Sequence, residues 1–186
     1  MNWENTFDTG LRYRDFLNAH GTDAHRERWQ SIYDRVRLTD EQRALLAGFV
    51  RKMNVLCVAG AWCGDCVNQC PILQRFAEAT DKIDLRFLDR DARIEIIREL
   101  SICGGDRIPV VVFLSEDFFE CGRYGDRTLS KYREMASTLL GAACPTGIVK
   151  PDRSLLDTVT AEWLAEFERI QLMLRLSQRL RTRHGD

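Results

Sequence analysis

Cys63 and Cys66 are separated by two residues in the stretch Trp62-Cys63-Gly64-Asp65-Cys66. Two thiols at that spacing, set at the start of a helix, can close a small ring as a disulfide and reopen by thiol exchange. A thiolate at Cys63 would attack a substrate disulfide and form a mixed disulfide. Cys66 would then attack Cys63 and release the reduced substrate. Zinc sites use the same spacing. Cys70 could join Cys63 and Cys66 on a metal, but no nearby Cys/His pair completes a tetrahedral set by spacing. No metal is therefore expected.

Such a pair needs elements that hold it. Val55 to Ala59 is an apolar run that reads as a buried strand, and Cys66 to Ala79 carries Ile72, Leu73 and Phe76 at helical spacing. Free amide N–H groups at that helix start favour a thiolate at Cys63. Leu85 to Leu88 reads as a second strand, and Ile94, Ile96, Ile97 and Leu100 belong to a second helix. Pro109 to Leu114 is a β-rich run, Phe118 to Cys121 a short strand, and Leu129 to Leu140 a last helix. This order implies an α/β chain, a mixed sheet with helices on both faces.

Both ends add to this core. Residues 1–52 read as a helical extension, 53–143 as the α/β domain and 144–186 as a C-terminal helical extension, within one globular unit. Phe7, Leu11, Phe16 and Leu17 mark one amphipathic segment stopped near Gly21, and Trp29, Ile32, Tyr33 and Val36 mark another. Thr39 with Gln42 three residues on fits a capping box. Cys144-Pro145-Thr146-Gly147 is a turn-rich joint. Thr158 to Arg181 reads as one long helix with Trp163, Phe167, Ile170, Met173, Leu174, Leu176 and Leu180 on its apolar side. Arg175, Arg179, Arg181 and Arg183 make a solvated, cationic end that suits the helix dipole.

Bulk properties narrow the setting. The 186 residues are 45% hydrophobic and 30% charged, with a net charge of −1, so nothing draws the chain to nucleic acid or an anionic membrane. The polar N-terminus has no apolar signal core, and no run approaches the roughly 20 apolar residues of a membrane span. Seven cysteines, unevenly spread, fit a cytoplasmic chain whose thiols stay mostly reduced.

Trp62-Cys63-Gly64-Asp65-Cys66, with Pro71 further along the helix, resembles the active-site strand-turn-helix of the thioredoxin superfamily. Arg107-Ile108-Pro109 is similar to the loop where thioredoxins place a cis-proline facing the disulfide, and Tyr124-Gly125 to the glycine beside their substrate groove. The likeness covers roughly residues 53–140, and most resembles bacterial thioredoxin-like proteins with a helical N-terminal extension. It implies a thioredoxin-like fold, with Cys63 as nucleophile and Cys66 as resolving thiol. Trp62, Gly64, Ile108, Pro109 and Gly125 would bind substrate. A cis turn at Pro109 would open the Ile108 backbone to an extended peptide. No cofactor is implied beyond the Cys63–Cys66 disulfide, with electrons from NADPH through a thioredoxin reductase.

The chain departs from that family at the proton relay. Thioredoxins carry a buried aspartate six residues before the first active-site cysteine, where this sequence has Cys57. Their accompanying lysine aligns with Phe87. Asp65, in place of the family's common proline, offers a substitute general base. Its charge opposes a thiolate at Cys63, while the helix dipole favours one.

Other residues read more plainly. Cys57 and Cys70 suit small core positions, and Cys70 also stands one turn beyond Cys66, where a second resolving thiol would sit. Cys103 lies in a loop, and Cys121 and Cys144 carry no local sign of chemistry. His20, His25 and His184 suit surface or capping roles. The expected function is reduction of protein disulfides by dithiol exchange. The alternatives are a thioredoxin-like binding or scaffold module, or a thiol-based redox sensor. Expected partners are disulfide-containing proteins and a thioredoxin reductase, with no nucleic acid and no membrane. The extensions also offer a homodimer surface.

Overall fold

The computed structural model describes residues 1–140 and 154–186. Four helices come first: α1 (Trp3–Asp8), α2 (Tyr13–His20), α3 (Asp23–Arg35) and α4 (Asp40–Ala47). β1 (Met53–Ala59) leads through the cysteine motif into α5 (Gly64–Ala79). β2 (Ile83–Asp89), α6 (Ile94–Glu99), β3 (Val110–Leu114) and β4 (Glu120–Gly125) follow. α7 (Leu129–Leu139), α8 (Leu155–Leu176) and α9 (Gln178–His184) complete the described elements. The four strands form one sheet in the order β2-β1-β3-β4. β1 runs parallel to β2 and antiparallel to β3, and β3 is antiparallel to β4. This is the mixed sheet flanked by helices that the sequence implies. Every residue of β1 is buried, as a central strand requires when both faces are covered.

The N-terminal segment differs from its expected form. The run from Phe7 to Leu17 is two helices, because the chain between them is extended. Leu11 and Phe87 exchange both backbone hydrogen bonds, each 2.8 Å, so Leu11 caps the outer edge of β2. Gly10 makes the approach possible, since a Cβ there would lie 2.7 Å from the Arg86 Cβ. The capping box at α4 is formed, with Thr39 N–H to Gln42 Oε1 at 3.0 Å and Gln42 N–H to Thr39 Oγ1 at 3.2 Å. An equivalent box joins Thr22 and His25 at α3, with histidine where the usual pattern has glutamate or glutamine.

Tyr13, Phe16 and Trp29 place their rings 5.8, 5.5 and 6.4 Å from that of Phe87. The N-terminal helices thus dock on Phe87. On α8, Phe167 lies edge-on to Phe76 of α5 and Phe113 of β3.

Two further expectations need correction. The fourth strand begins at Glu120 rather than Phe118, because Phe118 takes a turn conformation with φ 63°. The C-terminal helix breaks at Ser177, which is extended and whose hydroxyl caps Leu180 N–H. The break turns Leu180 inward to 1% exposure and leaves Met173 and Leu176 at 41% and 76%, outside the apolar face. The arginine cluster is exposed, as expected of a solvated end, and makes surface ion pairs. Arg179 pairs with Asp117, and Arg183 reaches Glu116 at 3.6 Å and Asp117 at 3.3 Å. The joint at Cys144 to Gly147 lies outside the described residues.

Candidate active site

β1 delivers the chain to the turn Gly60-Ala61-Trp62, and Cys63 forms the N-cap of α5. Cys63 N–H donates to the Gly60 carbonyl at 3.0 Å, and Val67 N–H to the Cys63 carbonyl at 2.9 Å. The Trp29 indole N–H donates to the Ala61 carbonyl at 2.8 Å, so α3 fixes the turn from beneath. Trp62 is 43% exposed, with the Arg90 guanidinium 4.5 Å above its ring. Cys63 keeps 9% exposure and Cys66 none. Any attack on an external disulfide must therefore start from Cys63.

The two thiols act as one titrating unit. The thiol–thiol contact with Cys66, reinforced by burial, pushes the Cys63 pKa up, although the Asp65 and Cys66 backbone N–H groups favour its thiolate. Burial alone would raise Cys66 as well, but contacts with the Cys63 and Cys70 thiols outweigh it and bring Cys66 down. One proton leaves the pair below the ordinary thiol range and the other above it. The charge is shared across the contact at the helix N-terminus.

Facing the pair, the Ile108–Pro109 peptide is cis, and the Ile108 carbonyl lies 3.8 Å from Cys63 Sγ. The Ile108 side chain is withdrawn from the surface. Ile108 is 6% exposed, because its side chain packs under the Gly60 turn. Gly125 has φ 148°, and a Cβ there would meet the Pro109 carbonyl oxygen at 2.3 Å. Only glycine allows β4 to end against that loop. The fold thus gathers Cys63, Cys66, Trp62, Ile108, Pro109 and Gly125 at one end of the sheet. Gly64 joins them on the exposed first turn of α5.

Asp65 has a partner that no sequence signal revealed. Its carboxylate accepts from the Arg127 guanidinium at 2.5 Å, both side chains being largely buried. Arg127 also reaches Asp126 at 2.7 Å. Burial would raise the Asp126 pKa, but the Tyr132 hydroxyl and the Arg127 and Arg107 guanidinia hold it low. Gln69 on α5 ties this loop inward, donating to the Asp126 carbonyl and accepting from the Trp163 indole, both at 2.9 Å. Arg127, Asp126 and Gln69 are thus site-supporting residues absent from the motif.

Cys57 and Phe87 are register partners on β1 and β2. Cys57 and Cys70 are fully buried, with their sulfurs 3.8 Å apart. Cys103 is exposed in its loop, and burial pushes the Cys121 thiol up. His25 caps α3, His20 lies 4.0 Å from Asp89, and His184 lies 2.8 Å from Glu116. Among the described residues no helix is long and apolar enough to cross a membrane.

A dithiol at a helix N-terminus, on a four-stranded mixed sheet and opposite a cis-proline, defines the thioredoxin class of fold and site. Residues 10–139 match the family profile described as Thioredoxin, and the chain belongs to that family. The matched stretch reaches back into the N-terminal helices. Among solved structures, a Pseudomonas aeruginosa protein of unknown function is similar at 18% identity, with TM-score 0.71, over 91% of this chain and 96% of that one. An HIV epitope-scaffold is similar at 19% identity, with TM-score 0.66, over 90% and 99%. No curated protein matches the chain.

Proposed function

We propose that the protein is a thiol-disulfide oxidoreductase that reduces disulfides in protein substrates through Cys63 and Cys66. The observation that carries this reading is the pair itself. One thiol lies at the surface edge of a helix N-terminus, the other is sealed directly behind it, and one proton between them is held loosely. Cys63 attacks the substrate disulfide, one substrate sulfur leaves, and Cys66 displaces the other. The open Trp62 face, Gly64 and the Ile108-Pro109-Gly125 wall receive the substrate chain. Electrons return from NADPH through a thioredoxin reductase, with no bound cofactor, in the cytoplasm of a bacterial cell. On this reading the cysteine pair and its flanking tryptophan are those of a bacterial WCGDC thioredoxin-like protein.

Asp65 holds the turn through Arg127 and serves as a base for Cys66 only when that pair opens. Single-turnover kinetics of Asp65→Asn from pH 6 to 8 test the base role, which unchanged rates would remove. A partner-restricted variant of the reading is favoured by the 9% exposure of Cys63. On that variant, general substrates react slowly and one cognate partner reacts fast.

Trapping tests the central step. Cys66→Ser incubated with insulin should accumulate a mixed disulfide at Cys63, and Cys63→Ser should form none. An adduct at Cys103 or Cys121 instead would sink the assignment.

A further inference from the structure

Behind the surface pair lies a second pair of thiols for which disulfide exchange at Cys63 has no use. Cys57 on β1 and Cys70 on α5 are each 0% exposed, with Sγ atoms 3.8 Å apart. Disulfide bonding needs about 2.05 Å between sulfurs, so closure requires a movement of about 2 Å. Cys63 caps α5, and Cys66 and Cys70 stand on that helix four residues apart, a spacing that puts them on one face in successive turns. From Cys63 at 9% exposure to Cys66, Cys70 and Cys57 at none, the four cysteines thus lead from the surface into the core. A second observation lies in the same core. The Tyr13 hydroxyl is buried with no hydrogen-bond partner among the described residues, and burial pushes its pKa up, the charge of a Cys70 thiolate adding to the effect. That hydroxyl is an unused donor. Among the described residues, no three His, Cys, Asp or Glu side chains are arranged to hold a metal ion.

We propose that Cys57 and Cys70 form a second, buried redox dithiol that takes up the disulfide from Cys63–Cys66 by internal exchange, so that one chain stores two disulfides. The inference rests on the reductase reading, since the first disulfide is the one left after a substrate disulfide is reduced. In the first step the Cys70 thiolate attacks Cys66 Sγ. The Cys66–Cys70 bond forms, the Cys63–Cys66 bond breaks, and Cys63 leaves as a thiolate that takes up the Cys70 proton. In the second step Cys57 attacks Cys70 Sγ. The Cys57–Cys70 bond forms, the Cys66–Cys70 bond breaks, and Cys66 takes up the Cys57 proton. No external oxidant enters. The surface pair is reduced again and the buried pair is oxidised. Cys57 thus has a redox role where the family has a carboxylate.

The test uses full-length reduced protein exposed to rising oxidised glutathione, followed by acid quench, alkylation and peptide mapping. At excess oxidant the wild type should show both Cys63–Cys66 and Cys57–Cys70 linkages, leaving three of the seven cysteines alkylatable. Cys70→Ala should keep only the Cys63–Cys66 linkage. Cys66→Ser, or Cys66→Ala if a hydroxyl is not tolerated there, should leave Cys57 and Cys70 reduced, because the line is cut. In stoichiometric assays the reduced wild type should reduce two equivalents of disulfide and Cys70→Ala one. If Cys63–Cys66 closes but Cys57 and Cys70 remain alkylatable at every ratio, the inference is overturned and the reductase reading stands. If Cys57–Cys70 forms equally fast without Cys66, the internal relay is overturned. If Cys63–Cys66 never closes, the reductase reading falls and takes the relay with it.

Discussion

Two thiols in contact give up their first proton more readily than either would alone, and their second less readily. For Cys63 and Cys66 that places one thiolate in the unit below the ordinary thiol range near pH 8.5. The alkylation rate of the reduced protein should then be nearly flat from pH 7 to 8. A tenfold rise over that unit, as for a free thiol, would contradict the shared-proton account. Asp65 works in the opposite direction, since its charge raises the Cys66 pKa. Asp65→Asn removes that charge and frees Arg127, so both changes should move the alkylation profile to lower pH. A profile shifted upward would show that the Asp65–Arg127 pair acts otherwise. At Gly125 the cost is steric. Gly125→Ala drives a methyl into the Pro109 carbonyl, which should cost about 1–3 kcal/mol and slow substrate attack by displacing the Ile108 carbonyl. Thermal melting together with the trapping rate checks both effects.

The N-terminal helices make position 87 unsuited to a lysine. Phe87 sits among Tyr13, Phe16 and Trp29, where an ammonium would have no partner. Phe87→Lys should cost about 3–5 kcal/mol, the scale of an uncompensated buried charge. Phe87→Leu, which keeps an apolar side chain, should cost less. Denaturant unfolding compares the two, and equal stability for Phe87→Lys and wild type would show that the docked helices do not seal that face. α3 has a second task through Trp29, whose indole holds the Ala61 carbonyl beneath the motif. Trp29→Phe removes that donor and should cost about 1–3 kcal/mol. If its trapping rate at Cys63 stays that of wild type, the turn is fixed by α5 alone.

At the level of the whole molecule, periodicity was enough to alternate strands and helices into a mixed sheet, and the likeness to thioredoxins to bring Cys63, Cys66, Ile108, Pro109 and Gly125 together. Local signals of that kind sit in a few adjacent residues, as the Thr39 capping box also does. What the sequence hid was non-local. The break at Gly10 depends on Leu11 pairing with Phe87, far along the chain, and the break at Ser177 depends on Leu180 finding the core. Asp65 looked like a free base because Arg127 is distant in sequence and carries no motif. Cys70 looked like a core filler because its spacing to Cys57 has no local meaning until β1 and α5 pack. The central claim of the account is turnover at the surface dithiol. Reduction of insulin disulfides driven by dithiothreitol measures it without depending on any particular reductase. The wild type should accelerate insulin precipitation well above the Cys63→Ser/Cys66→Ser double variant, and a wild type no faster than that variant would contradict the account.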